Sequence, residues 1–342
     1  MRTVQHRHVV ALLFLVGFVF WLSRTGHAPS QLHAQSSKVS TFGVDCDYSH
    51  EVPSPSLLAG TLSKVQMRCT SRERTLTSNG IPDHEVGAFP NRSNPNRITE
   101  QSIRFDMPLN PQLGSFAGRA TNIPGYARNG IKLEPETAEV YLNGREGWRY
   151  EAIQNPVLYN LGLDQNLAHV QPNGEYHYHG IPEDYLKRLL KGGAPAMVLM
   201  AWASDGFPIY ARYGYENPAD SGSLIKIVKP NFRLKNEQEL AATLVNGQAR
   251  PGFNASEVRR GNKTVPSLPL GIFVQDWIYD AALGGDLDEC NGRFGVTPEF
   301  PQGIYHYYLT DAYPYMQRCI KGEGKLLRMN GGGPPGRFGG PF

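Results

Sequence analysis

His169-Val170-Gln171-Pro172-Asn173-Gly174-Glu175-Tyr176-His177-Tyr178-His179 is the stretch that points to a β-rich fold. Pro172, Asn173 and Gly174 suit a three-residue hairpin loop. Proline presets the first turn position, asparagine tolerates the second, and glycine takes the left-handed third. Gln171 then faces Glu175, and His169 faces His177. Side chains alternate along a strand, so His169, His177 and His179 share one face. Tyr176 and Tyr178 share the other with Ala168 and Val170. Directly opposed Cβ atoms lie ~4.5–5.5 Å apart. Two imidazoles at that spacing can reach one metal ion through bonds of ~2.0–2.1 Å. A two-residue Asn173-Gly174 turn would instead send His169 to the tyrosine side. A polar strand patch, its imidazoles bonded to carboxylates and backbone, is the competing account of the same residues.

The rest of the chain agrees with a β-rich protein. It has 342 residues, 40% hydrophobic and 19% charged, which is enough to bury a large core. The 37 Gly and 26 Pro give many turns and few long helices, and 17 Tyr and 15 Phe suit strands. The fold expected is mainly β, a sandwich or distorted barrel with one or two short helices; α+β is the alternative. One helix begins at Pro182-Glu183-Asp184, buries Tyr185, Leu186, Leu189 and Leu190, and stops at Gly192-Gly193. A second is expected at Glu237–Val245, and a buried strand at Ala196–Ala203. Residues 84–130 hold Pro90, Pro95, Pro108, Pro111 and Pro124, so loops and edge strands are expected there. Gly174–His179 and Gly303–Tyr308 form a weak repeat, Tyr-His-Tyr in each, whose strands are expected to pair or face one another.

Arg2, His6, Arg7 and His8 precede a 14-residue apolar run, Val9 to Leu22. That is short of the ~18–20 residues of a spanning helix. It reads as a secretory signal, residues 1–34, ending at Leu32-His33-Ala34. An uncleaved anchor is the other reading, because Arg24 follows the run. Without residues 1–34 the chain is formally neutral, and the whole chain carries only +3. No nucleic-acid partner is expected from such a balance, nor a multi-span membrane protein from one apolar run. Export makes disulfides the expected state of the four cysteines. Loop closure favours the local pairs, Cys46 with Cys69 and Cys290 with Cys319.

Four segments resemble the YHYH-domain family. The first is Asn79-Gly80-Ile81-Pro82-Asp83-His84, followed by Gly87-Ala88-Phe89-Pro90-Asn91. The second is Leu163-Asp164, His169 to Pro172, and Gly174 to Gly180 with Pro182. The third is Ser204-Asp205-Gly206-Phe207-Pro208-Ile209-Tyr210. The fourth is Asp286 to Phe294, with Tyr305 to Tyr315. The resemblance covers about 75–323 and implies a secreted, periplasmic or surface-exposed domain of bacterial type. It brings no settled activity. With the signal peptide at 1–34, the chain is expected to divide into an N-terminal strand segment at 35–74, the domain at 75–323, and a Gly/Pro tail at 324–342 whose composition suits disorder. Tyr308 stands where a second motif would carry another histidine.

The matched segments contain His84, His169, His177, His179 and His306, but not His50. These five are the candidate metal ligands. His84 or His306 is expected to join the hairpin three. Asp205, Glu289 and Tyr178 are the candidate supporting groups. Each also has a plainer role: Asp205 as turn former, Glu289 beside the Cys290 loop, Tyr178 in packing. A histidine-rich shell with one carboxylate suits copper or zinc and not calcium or magnesium. No G-x-S-x-G, H-E-x-x-H or GxxxxGK[ST] occurs. Asn91, Asn254 and Asn262 begin glycosylation sequons.

The leading expectation is an extracytoplasmic protein binding a transition metal at a histidine cluster, with catalysis left open. The second is a secreted module for a carbohydrate, protein or cell-envelope partner. It would use Trp148, Trp202 and Trp277 as contact surface and its histidines as structure.

Overall fold

The structure is a computed structural model that describes residues 40–115, 118–141, 147–154, 160–252, 257–260, 263–266 and 268–323. The expected signal, the tail at 324–342 and the sequons at Asn254 and Asn262 lie outside these residues.

Strands β1 (Ser49–Pro53), β2 (Leu62–Cys69), β3 (Glu73–Ser78) and β4 (Ile103–Pro108) form an antiparallel sheet in that order. Burial alternates, so Val65, Met67, Leu76, Phe105 and Met107 point into the core.

A larger sheet holds eight strands: β5 (Gly125–Ala127), β6 (Lys132–Leu133), β7 (Ala168–Val170), β8 (Tyr176–Tyr178), β9 (Leu199–Ala203), β10 (Pro208–Ala211), β11 (Gly292–Gly295) and β12 (Ile304–Leu309). Their order across the sheet is β11-β12-β10-β9-β5-β6-β8-β7. β5 is interior, not the edge strand expected of a proline-rich region. Gly125 makes room for it: a Cβ there would fall 2.2 Å from the Trp202 carbonyl oxygen.

This sheet is one four-strand pattern used twice. β5–β6 and β9–β10 are antiparallel pairs, as are β7–β8 and β11–β12. β8 runs parallel to β6, and β12 to β10. The halves join antiparallel through β5 and β9. The turns agree as well. The Asp164 N–H donates to the Ala168 carbonyl at 2.9 Å, and the Asp288 N–H to the Gly292 carbonyl at 2.9 Å. The Tyr176 hydroxyl donates to Asp164 at 2.7 Å, and the Tyr305 hydroxyl to Asp288 at 2.9 Å. The two Tyr-His-Tyr strands therefore share a sheet and a role. They do not pair, since four strands lie between them.

The N-terminal sheet covers the middle of one face. Phe105 packs on Tyr126 with ring centroids 4.8 Å apart, and the Arg74 guanidinium lies 3.5 Å over Trp202. Register puts Tyr126 and Trp202 on the same side as Lys132 and His177. Helix α1 (Glu183–Leu189) buries Tyr185 and Leu186; its acids sit in the first turn and its bases in the last. Helix α2 (Glu237–Ala242) starts in a capping box made by Asn236 and Glu239. The described residues are thus mainly β, and no sheet among them closes into a barrel. Cys46–Cys69 and Cys290–Cys319 are the disulfides. No described helix is long and apolar enough to cross a membrane.

Candidate metal centre

The hairpin has the register expected of a three-residue loop. Gly174 has φ 87°, its N–H donates to the Gln171 carbonyl at 2.8 Å, and the Gln171 N–H donates to Glu175 at 3.0 Å. His169 pairs with His177, Ala168 with Tyr178 and Val170 with Tyr176. His179 extends the ladder by donating its N–H to the Leu167 carbonyl at 2.8 Å. The three rings form a near-equilateral group, with centroids 4.6, 4.9 and 4.8 Å apart. One nitrogen from each lies within 4.8 Å of the others. A tetrahedral ion with ~2.0–2.1 Å bonds holds ligand nitrogens ~3.3 Å apart, so small ring rotations bring all three into one shell.

The hydrogen bonds of these rings suit ligation. His169 Nδ1 meets the Leu161 carbonyl at 2.9 Å, and His177 Nδ1 meets the Glu175 carbonyl at 3.2 Å. Each carbonyl can accept an Nδ1–H, which orients the ring and leaves Nε2 for a metal. His179 is 2% exposed, and neither of its ring nitrogens has a hydrogen-bond partner. An unpaired buried polar group costs roughly 1–3 kcal/mol, so such a ring calls for a ligand. Burial lowers the pKa of all three. For His177 the proximity of His169 and His179 adds to it, and for His179 that of His169. The Glu134 backbone works the other way on His179, although no ring nitrogen reaches hydrogen-bond geometry with it. The imidazoles are neutral at neutral pH, which is the metal-binding form.

A cavity of about 730 Å³ opens over the triad, and Lys132, Glu134, Gln171 and Glu175 line it beside the histidines. Lys132 pairs with His177 across the parallel β6–β8 ladder. Its ammonium reaches Glu134 at 3.0 Å, Glu175 at 2.8 Å and Gln171 at 3.0 Å. Glu134 is 2% exposed and lies 3.8 Å from His177 Nε2. Burial raises its pKa, and Lys132 partly offsets this. Glu134 is the carboxylate beside the imidazoles that sequence reasoning missed. Its signal was the alternation Ile131-Lys132-Leu133-Glu134, which puts two charges on the histidine side of a strand.

The structure does not bring the other candidates to the triad. His84 lies on the opposite side of the sheet, where its Nε2 meets the Tyr178 hydroxyl at 2.6 Å. Tyr178 alternates with His177 and so supports His84, not the triad. His306 belongs to the second half of the sheet. Its nitrogens meet the Ile304 carbonyl at 2.8 Å and the Tyr308 hydroxyl at 3.0 Å. Asp205 is fully buried in the β9–β10 turn and accepts from the Tyr307 hydroxyl at 2.6 Å. Glu289 pairs with Lys321 at 2.5 Å. Trp148 and Trp202 are 0% exposed and belong to the core, not to a contact surface. Trp277 is half-buried and stacks on Tyr313 at 4.3 Å.

The repeat supplies an internal comparison. Arg293 pairs with His306 as His169 pairs with His177, and Tyr308 stands where His179 stands. There the Arg293 guanidinium donates to the Tyr308 hydroxyl at 3.3 Å, and that hydroxyl also meets His306. The second cluster is bonded through the Tyr308 hydroxyl; the first is three imidazoles with no bonds among them.

Fold and site together define a disulfide-bonded β protein with a group of three imidazoles, two of them buried. The chain belongs to the YHYH protein family, whose profile matches residues 104–322. No curated protein and no solved structure matches it.

Proposed function

We propose that this protein binds a transition-metal ion, zinc or copper, through His169, His177 and His179, outside the cytoplasm. One observation carries the reading: three neutral imidazoles, those of His177 and His179 buried, offer nitrogens within 4.8 Å of one another, and His179 has no other use for either of its own. An all-nitrogen donor set suits zinc and copper and does not suit calcium or magnesium. Two disulfides support an oxidising compartment. With Trp148 and Trp202 in the core, nothing comparable favours the aromatic binding module.

The test is metal stoichiometry by elemental analysis, on protein purified without a histidine tag and incubated with zinc or copper. One ion per chain is expected for wild type. His177→Ala and His179→Ala should each lose most of it while keeping their far-ultraviolet dichroism. Wild type without metal, or His177→Ala with full stoichiometry, would overturn the reading.

A further inference from the structure

Glu134 carries an inference that rests on the metal reading and deepens it. Three imidazoles leave at least one position of a tetrahedral ion open, whereas a structural site is closed by four protein ligands. The open side faces the cavity, and Glu134 lines it. Glu134 is not in the group whose ligand atoms lie within 4.8 Å of one another, yet it stands 3.8 Å from His177 Nε2. Glu134 therefore stands beside the three-nitrogen group and not within it. Lys132 and Gln171 both take the same oxygen, Oε2, at 3.0 and 2.9 Å. The contacts of the Glu134 carboxylate among the described residues fall on Oε2.

We propose that Glu134 is a positioning residue for an exogenous ligand, accepting through Oε1 a hydrogen bond from a water or alcohol oxygen bound to the metal. Glu134 only accepts when ionised, and the three donors of Lys132 are already taken by Glu134, Glu175 and Gln171. The open position therefore selects a protonated oxygen donor over a small anion. It makes the centre an exchangeable site and not a structural clamp.

Cobalt(II) in place of zinc gives the site a visible spectrum, and azide is the probe anion. In Glu134→Gln the cobalt stoichiometry should stay at the wild-type value. Azide should displace the bound water at about ten-fold lower concentration or less, the worth of one charge-assisted hydrogen bond. Glu134→Asp keeps the charge beside Lys132 but withdraws the oxygen. It should fall between the two, which guards against a glutamine variant that folds poorly. Equal azide midpoints in all three proteins would overturn the inference and leave metal binding standing. So would loss of cobalt in Glu134→Gln to the level of His177→Ala, since Glu134 would then be a ligand. Wild type that takes up no cobalt, zinc or copper would overturn both.

Discussion

His177 and His306 hold the same place in two copies of one strand pattern, and only the neighbours of His177 are imidazoles. Around His306 the matching positions carry Arg293 and Tyr308, which bond to each other. The contrast gives a gain-of-site prediction. Arg293→His with Tyr308→His should rebuild the first cluster in the second half. Stoichiometry should rise from one ion per chain toward two. A double variant that folds but still holds one ion would show that strand register alone does not make the site.

The face opposite the triad should prove separable from it. His84→Gln removes the 2.6 Å contact to Tyr178 but touches none of the three imidazoles. Metal stoichiometry should be unchanged. Stability in denaturant should fall by roughly 1–3 kcal/mol, the cost of disturbing a buried hydrogen-bonded pair. Loss of metal without loss of stability would place His84 functionally in the centre.

Gly174 should be needed for the register. Its φ is 87°, and a Cβ there would lie 1.9 Å from Thr99 Oγ1 and 3.2 Å from the Arg97 carbonyl oxygen. Gly174→Val should cost more than 1 kcal/mol and weaken metal binding, because the hairpin that opposes His169 to His177 is strained at its loop. Unchanged affinity in a metal titration would mean that the loop does not set the register.

His306 gives a pH dependence with a definite sign. Complete burial lowers its pKa to about 3, against the pull of the Ile304 carbonyl. Unfolded, it titrates near ~6.5. Between those values the unfolded chain binds a proton that the folded chain does not. Its contribution is thus full above pH ~6.5 and falls toward pH 3, by about 1.4 kcal/mol per pH unit. Buried carboxyls such as Asp205, raised by desolvation, act in the opposite sense. The readout is therefore a difference: metal-free His306→Gln should lose stability less steeply between pH 6.5 and pH 4 than metal-free wild type. Equal slopes would contradict the assignment.

Breaking the Cys290–Cys319 link, which spans 29 residues of sequence, should cost roughly 3–4 kcal/mol in the chain-entropy account. The triad lies in the other half of the sheet, so metal stoichiometry at low denaturant should survive in Cys290→Ala with Cys319→Ala.

What was readable from sequence was local. Pro172-Asn173-Gly174 determines which side of the hairpin His169 faces, and that one turn sufficed to assemble the triad. Both disulfides close short loops, and Pro182 and Gly192 bound a short helix. What was not readable depended on strands meeting across long stretches of chain. Glu134 reaches the imidazoles because β6 runs parallel to β8, a pairing that no local pattern encodes. His84 and His306 looked like ligands by type and motif, but one faces the other side of β8 and the other lies beyond four intervening strands. Trp148 and Trp202 looked like contact residues until the packing of Phe273 and Arg74 against them was seen.

His177 is 1% and His179 2% exposed, with the N-terminal sheet seated beside them on the same face. Bulk solvent reaches an ion held there through the cavity. A chelator in solution would have to enter that opening or wait for the hairpin to part. Removal of metal should therefore be faster with a chelator small enough to enter the cavity than with a bulky one, so occupancy would depend on what can reach the opening as well as on the metal around it.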